Sequence, residues 1–347
     1  MPTVEPSPNV KVLVTGANGF IAMWVIKSLL DQGYAVRGVV RSVAKGARLK
    51  ECFKAHGDKL ELFIVEDMMK DGAFDEAVKD VDAIEHTASP LPEANLIQPA
   101  VLGTLGILKS ATKYGTNVKR IVITSSVGAI IGYADSPTVI FDETNWADEF
   151  VNEVKTLGTA ASKMSKYRAS KTLAEKAAWN FYEENKQKIE WDLVVLNPTV
   201  VLGPSLQDEK SPENLSSSLA AFYDNIFNEK PDDALKLCFG YIDVRDIAEA
   251  HVKSLRIVGA GGERMIISEG GLTWQETRNR LQKLFPKLYE DGILPRGNAD
   301  LDKSLLYAYN NEKGRRILGF QYRDLDSILR GTIKSFAQKG WVKLPAA

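Results

Sequence analysis

The sequence predicts an α/β protein, a doubly wound parallel sheet with a smaller C-terminal lobe. Three observations carry that prediction. Short apolar runs alternate with helical periodicity over roughly the first 200 residues, a glycine-bearing turn joins the first run to the first helix, and the alternation stops after Gly203. Strands that alternate with helices make right-handed βαβ units, whose sheet is parallel and covered on both faces.

The first strand is the run Val10, Val12, Leu13 and Val14, and "FIAMWVIKSLLDQG" reads as a helix closed by Gly33. "YAVRGVVR", "ELFIVED", "VDAIEHTA" and "VKRIVITSS" are the second to fifth strands, with helical patterns around residues 43–56, 72–79 and 95–114 between them. A long helix from Ser165 to about Asn185 and the strand "WDLVVLNPTVVLG" form a sixth unit. Beyond it, "PSLQDEKSPENLSSS" reads as loop, "LAAFYDNIFNEK" as helix, and "LCFGYIDVRDIAEAHVKSL" as one more strand and helix returning to the main sheet. "TWQETRNRLQKLF" and "LDSILRGTIKSFAQKG" are helices of the smaller lobe. The expected division is a dinucleotide-binding domain over 10–200 with a return segment at about 236–258, and a substrate-binding lobe from 201–235 and 259–347. The proline-rich residues 1–9 precede the first strand as loose chain.

Composition narrows the function. The chain has 347 residues, 44% apolar and 26% charged, and a mean hydropathy of −0.17, the values of an ordinary globular protein. With 44 basic against 45 acidic residues and no basic tract, nothing favours nucleic acid as a partner. Two distant cysteines, Cys52 and Cys238, and three scattered histidines make neither a disulfide framework nor a zinc-ligand spacing. "MPTVEPSPNV" lacks the basic and apolar regions of a secretory leader, and no apolar run reaches the length of a membrane span, so the expected location is the cytosol.

In "VTGANGFIA", residues 14–22, Gly16, Gly19 and Ala22 recur at three-residue spacing between a strand and a helix. A helix N-terminus presents unpaired N–H groups and the positive end of the dipole, which suits a pyrophosphate. Gly16 permits the turn, Gly19 lets the backbone approach the ligand, and Ala22 stands where close helix-to-strand packing is needed. Gly16, Asn18, Gly19, Phe20 and Ile21 are the expected cofactor contacts here.

"YRASK" places Tyr167 and Lys171 four residues apart on a helix, hence on one face. A neighbouring ammonium stabilises a phenolate, so such a tyrosine can exchange protons. The plain alternative is a solvated face, because Lys163, Lys166, Arg168 and Lys176 make the segment basic throughout. Ser125 and Ser126 end the fifth strand, where the ligand crevice of such a sheet lies and where a hydroxyl can hydrogen-bond a developing oxyanion.

Together "VTGANGFIA", "ITSS" and "YRASK" resemble the extended short-chain dehydrogenase/reductase family, built on the Rossmann fold. "HTASP" at 86–90, "YRASKTLAEKAAW" at 167–179, "LNPTVVLGP" at 196–204 and "GYIDVRDIAEAH" at 240–251 are similar to fungal methylglyoxal, isovaleraldehyde and aldehyde reductases and to dihydroflavonol reductases. The resemblance spans about residues 10–335. It implies that Tyr167 protonates a carbonyl oxygen as hydride arrives from nicotinamide C4, that Lys171 holds the nicotinamide ribose, and that Ser126 fixes the carbonyl oxygen. It further implies cofactor contacts at Asp67 and Met68, at Thr87, Ala88 and Ser89, at Pro198 and Val200, and at Ser218.

An NAD site usually carries an acid at the end of the second strand, bonded to the ribose 2′-OH. "VRGVVRSVAK" offers Arg41 and Lys45 there and no acid, a pair suited to a 2′-phosphate; Arg37 alternates to a different side. The expected cofactor is NADPH and the expected substrate a small carbonyl compound, its pocket walled by residues 128–165 and 202–240 with "AAFYDNIF" as an apolar contributor. Two other functions fit the fold: a sugar-nucleotide epimerase or dehydratase that cycles bound NAD, and a non-catalytic NADP(H)-sensing regulator.

Overall fold

The computed structural model describes residues 2–89, 96–134 and 138–344. The chain runs β1 (Lys11–Thr15), α1 (Phe20–Asp31), β2 (Ala35–Val40), α2 (Val43–Cys52), β3 (Leu60–Ile64), β4 (Ala83–His86), α3 (Ile97–Tyr114), β5 (Arg120–Thr124) and β6 (Val139–Phe141). It continues with α4 (Asp148–Leu157), α5 (Lys163–Asn185), β7 (Asp192–Pro198), β8 (Val200–Leu202), α6 (Ser217–Phe227), α7 (Asp232–Leu235), β9 (Cys238–Asp243) and α8 (Val244–Arg256). The last elements are β10 (Arg264–Ile267), β11 (Gly270–Thr273), α9 (Trp274–Leu284), α10 (Pro286–Glu290), β12 (Tyr307–Tyr309), α11 (Glu312–Leu318) and α12 (Leu325–Gln338). No helix among the described residues is long and apolar enough to cross a membrane.

Seven strands form one sheet in the order β10-β7-β5-β4-β1-β2-β3, every pair parallel. This is the predicted doubly wound architecture, and the two-residue period of its strands explains why both faces are covered. Val12, Val14, Val122, Val194 and Leu196 point into the core shared with α1 and α8. Leu13, Ile84, Ile121, Ile123, Leu193 and Val195 point into the second core, on the side of α3 and α5. The direction of winding reverses between β1 and β4, and ligands of such sheets bind in the crevice beyond that point.

Three expectations need correction. Residues 72–79 form turns, not a helix: Gly72 (φ +71°) and Asp80 (φ +56°) take left-handed conformations at either end, while Phe74, Ala77 and Val78 are buried against the second core. "WDLVVLNPTVVLG" breaks at Thr199, so that β7 stays in the main sheet and β8 leaves it. The expected return strand, β9, pairs with β8 and β11 in a separate three-stranded sheet. Only its helix, α8, returns, packing on α1, and the seventh main strand is β10, from the segment expected in the smaller lobe.

At the opposite edge of the sheet, the amino end, Arg120 of β5 is fully buried and pairs with Asp192 of β7 through Nε (2.6 Å) and Nη2 (2.8 Å). Its Nη1 donates to the carbonyls of Ser254 and Ile257, which ties α8 to the sheet. Removing one partner of a buried pair leaves an uncompensated charge, at a cost of about 3–5 kcal/mol. Arg120→Met is therefore expected to lower the urea midpoint sharply at unchanged m-value, whereas Arg120→Met with Asp192→Leu recovers much of the loss; equal midpoints for both variants would refute a paired role.

Candidate active site

β1 and β4 end side by side, and the turns that follow them interlock. Gly16 has φ +62°, and a Cβ there would sit 2.9 Å from Ala88 Cα, so neither the conformation nor the space admits another residue. Thr15 Oγ1 accepts from the Ala88 N–H at 3.1 Å, and Thr87 Oγ1 donates to the Thr15 carbonyl at 2.6 Å. Gly19 is the N-cap of α1, has no side chain to cap the helix, and would bring a Cβ within 3.0 Å of Gly16 O. The amides of Phe20 and Ile21 thus open the helix toward the crevice, with Asn18 beside them. This cradle, which a Cβ would fill, fits the pyrophosphate of a dinucleotide.

The loop after β8 straps this turn from outside. Gln207 Nε2 donates to the Asn18 carbonyl at 2.7 Å, Trp24 Nε1 to the Pro204 carbonyl at 2.7 Å, and Lys339 Nζ to the Gln207 carbonyl at 2.6 Å. Gln207 was not signalled by any motif. Ser218 lies partly exposed on the first turn of α6, which packs on β8; the buried hydroxyl at that helix start is that of Ser216, which has no partner among the described residues.

The two basic candidates stand just past β2. Arg41 and Lys45 are exposed, Lys45 in the first turn of α2 behind the Ser42 cap, and neither is in an ion pair among the described residues. Arg37 is different: it pairs with Glu61 and donates to the carbonyls of Ala77 and Lys79. After β3, Asp67 closes a turn by accepting from the Met69 N–H at 2.9 Å, and Met68 lays its side chain on Gly103 of α3. Ser89 is exposed at the limit of the described chain, and Pro90 of the "HTASP" segment and residues 135–137 of the expected pocket wall lie outside the described residues. Pro198 ends β7 in register with Ile267, and Val200 opens β8 opposite Tyr241.

α5 is the element that assembles the candidate chemistry. Ser162 caps it by accepting from the Ser165 N–H, and Tyr167 and Lys171 follow on successive turns. Ser126 Oγ accepts from the Gly128 N–H at 2.9 Å. A Cβ on Gly128 would lie 3.1 Å from Tyr167 Cε1 and 3.2 Å from Ser126 Oγ, so the phenol ring and the hydroxyl flank one bare glycine. Ser125 turns the other way: its hydroxyl donates to Glu175, and Asn197 Nδ2 bonds both Glu175 (2.8 Å) and the Ser126 carbonyl (3.0 Å). Arg264 completes this buried group by pairing with Glu175 through Nε. Sequence reasoning missed Gly128 and Glu175, although Glu175 is the next residue in the four-residue series of Tyr167 and Lys171 and was legible by that spacing.

Lys171, Glu175, Ser125, Thr124 and His86 line a small cavity between α5 and the ends of β4 and β5. Burial, with the Lys171 charge adding to it, pushes the His86 imidazole down to about 3. On the other face of β4, burial pushes the Glu85 carboxyl up while its partner His251 opposes that shift. The expected apolar wall "AAFYDNIF" contributes no residue to this small cavity, and part of it is core. Phe222 and Ile226 are fully buried, and Tyr223 stacks on Phe227 at 4.4 Å and meets Phe336 of α12 edge-on, because α6 needs an apolar face to hold α12.

With this geometry in place, the chain can be assigned: it belongs to the NAD dependent epimerase/dehydratase family, whose model matches residues 12–268. Within that class it is similar to the NADPH-dependent methylglyoxal reductase GRE2 of Saccharomyces cerevisiae, 34% identical over 92% of this chain and 96% of that protein. Aldehyde reductase 2 of Sporidiobolus salmonicolor is 35% identical over 84% of this chain and 86% of its own length. The crystal structure of yeast methylglyoxal/isovaleraldehyde reductase Gre2 complexed with NADPH superposes with a TM-score of 0.85 at 32% identity, covering 96% of this chain and all of that one. A UDP-glucose 4-epimerase from Thermotoga maritima, at TM-score 0.66 and 19% identity, shares the fold alone.

His86 sets an acid limit on stability. In the unfolded chain it takes up a proton near pH 6.5, whereas in the fold it stays neutral to about pH 3. The unfolded state therefore binds more protons between those values, and stability is lost as pH falls through them, by up to about 1.4 kcal/mol per unit. Between neutral pH and about pH 5, urea unfolding of the wild type is expected to lose about 2 kcal/mol more than that of His86→Asn. Parallel losses in the two proteins would contradict a neutral buried His86.

Proposed function

We propose that the protein is an NADPH-dependent carbonyl reductase that converts an aldehyde or ketone to an alcohol, with Tyr167 as the proton donor. The observation that carries this reading is the placement of the Tyr167 ring against Gly128 beside Ser126 Oγ, at the carboxyl edge of the sheet. When bound, the dihydronicotinamide supplies the hydrogen and two electrons that reach the carbonyl carbon. Tyr167 releases its phenolic proton to the carbonyl oxygen, and Ser126 keeps its own proton while donating a hydrogen bond to the same oxygen. Lys171, one turn from Tyr167, holds the nicotinamide ribose hydroxyls and places a positive charge beside the phenolate that proton loss creates.

Around that centre, Gly16, Asn18, Gly19, Phe20 and Ile21 hold the pyrophosphate, and Asp67 and Met68 border the adenine. Thr87, Ala88, Ser89, Pro198 and Val200 flank the nicotinamide half, with Ser218 toward the phosphates. Arg41 and Lys45 bind the 2′-phosphate, which explains why both are left without an acidic partner. The relatives named above, reductases by their own names and NADPH-dependent in the yeast case, support the same cofactor and substrate class. The direct test is to follow NADPH and NADH oxidation against aldehydes, α-dicarbonyls and aryl ketones; no turnover of any carbonyl would refute the reading.

Tyr167→Phe should keep the fold and the NADPH affinity while turnover falls about a hundred- to ten-thousand-fold, the usual worth of a general acid. A variant that retained more than about a third of the wild-type kcat would remove Tyr167 from this role, since general-acid loss costs far more than that.

Arg41→Asp tests the 2′-phosphate site. A charge-assisted contact is worth about 1.5–3 kcal/mol, so NADPH should weaken by about ten- to a hundred-fold, and the new carboxylate repels the phosphate further. NADH has nothing there for Arg41 to pair with and should lose little, shifting kcat/KM toward NADH at fixed ionic strength. Equal losses for both cofactors would make Arg41 a scaffold residue.

A further inference from the structure

His86 is buried at the carboxyl end of β4, and its two ring nitrogens have different surroundings. Nδ1 lies 2.9 Å from Thr15 Oγ1. That oxygen accepts the Ala88 N–H, and for the proton of this buried hydroxyl Nδ1 is the one acceptor recorded among the described residues. Nδ1 is then the acceptor, and the neutral ring carries its proton on Nε2. Nε2 is buried and has no partner among the described residues.

The side chain lines the small cavity that Lys171 also lines. The charged group facing this space besides Lys171 is Glu175, whose oxygens are taken up by Arg264, Ser125 and Asn197; α3 contributes Ala100 and Thr104, β5 contributes Ile123 and Thr124, and Ser125 follows β5. An imidazole N–H and an ammonium are both donors, so they cannot satisfy each other. One water oxygen has two lone pairs and can accept from both, and the cavity, polar on several sides and about 20 Å³ in the space open to water centres, has room for one.

We propose that His86 is a positioning residue for Lys171: its Nε2–H anchors a buried water whose oxygen faces the ammonium and holds it one turn below Tyr167. The inference rests on the reading of Lys171 as a cofactor-holding residue. A lysine side chain has four rotatable bonds and no acceptor of its own, so a fixed oxygen dipole is an effective means of selecting one of its conformations. Nothing in this role requires His86 to change protonation state; it requires that the ring stay neutral with its proton on the cavity side, which the Thr15 contact and the downward shift of the imidazole both favour.

The test has two parts on the full-length protein. First, imidazole ¹H–¹⁵N spectra of the cofactor-free protein, assigned by the signal lost in His86→Asn, should show His86 protonated at Nε2 and unprotonated at Nδ1, without titration on acidification to about pH 5. A proton on Nδ1 would overturn the proposal. Second, NADPH affinity by fluorescence and steady-state kinetics are compared for His86→Asn, which faces Thr15 but loses the cavity donor, and His86→Gln, which returns an N–H near Nε2. His86→Asn should weaken NADPH several-fold and lower kcat about ten-fold or more with carbonyl KM little changed, and His86→Gln should restore most of both. Equal effects of the two variants, tracking their melting temperatures, would mean a merely structural histidine. In a Lys171→Met background, His86→Asn should have no further effect on NADPH affinity; additive losses would refute the coupling. If Lys171→Met alone left NADPH affinity and turnover intact, the Lys171 reading itself would fall, an outcome distinct from the others.

Discussion

The buried carboxylate of Glu175 is the constraint on which the site depends. It joins one helix to three parallel strands: Ser125 just past the end of β5, Asn197 near the end of β7 and Arg264 at the start of β10 all bond it. Arg264 is fixed in turn by the carbonyls of Glu143 and Asn145 and by Trp146, whose ring lies 3.7 Å from the guanidinium. Desolvating such a pair consumes most of its Coulomb energy, so its net contribution to stability is small. What it supplies is position. With Ser125 committed to Glu175, Ser126 is the serine left to face Tyr167, and α5 cannot slide along the sheet without breaking bonds to three strands at once.

Polar burial follows the same division along the whole sheet. At the amino end Arg120 and Asp192 close the structure with a single saturated pair. At the carboxyl end the buried polar groups are numerous, and several atoms have no partner among the described residues: Glu85 Oε1, His86 Nε2 and Asn197 Oδ1. Glu85 bonds His251, and His251 reaches Thr124 at 2.8 Å, so even the face away from α5 carries a polar chain to the crevice. A fold selected for stability alone would fill these positions with apolar residues, because each unmade hydrogen bond costs free energy. Of these, His86 lies at the edge where the turns of β1 and β4 meet, beside the cavity that Lys171 lines.

The parts legible in the sequence were those fixed by local chemistry. The glycine turn, the two serines and the Tyr-Lys pair were readable because backbone conformation and helical spacing are short-range properties. The central strands were readable because apolar runs of that length have few other uses. What escaped was decided at long range. β9 and β10 are both short and apolar, and which of them completes the main sheet is settled by pairing partners, not by composition; the break at Thr199 sends β8 away and takes β9 with it. Turns at 72–79 mimic a helix in their apolar spacing, since Phe74, Ala77 and Val78 must reach the core from either conformation. In α6 the aromatic residues read equally well as pocket lining or as core, and only the arrival of α12 decides between them. Gly128 illustrates the limit: its importance lies in what is beside it in space.

Arg37 and Arg41 show how position relative to a strand end sorts two like residues into different work. Arg37 lies inside β2, in register with Leu13 on one side and Glu61 on the other. A cross-strand carboxylate takes its Nε and two loop carbonyls take its Nη1, so its charge belongs to the sheet. Arg41 follows Val40, the last residue of the ladder, and beyond that point there is no opposing strand to supply an acid. Its guanidinium stays exposed at the carboxyl edge, on the strand next to the glycine turn. A fork left unpaired among the described residues attracts a dianion at that place and gains nothing from a neutral ribose. In the proposed reaction the preference for a phosphorylated cofactor rests on that exposed guanidinium just past β2: continued by one residue, the ladder would set Arg41 opposite the apolar Val65, not opposite an acid as Arg37 is.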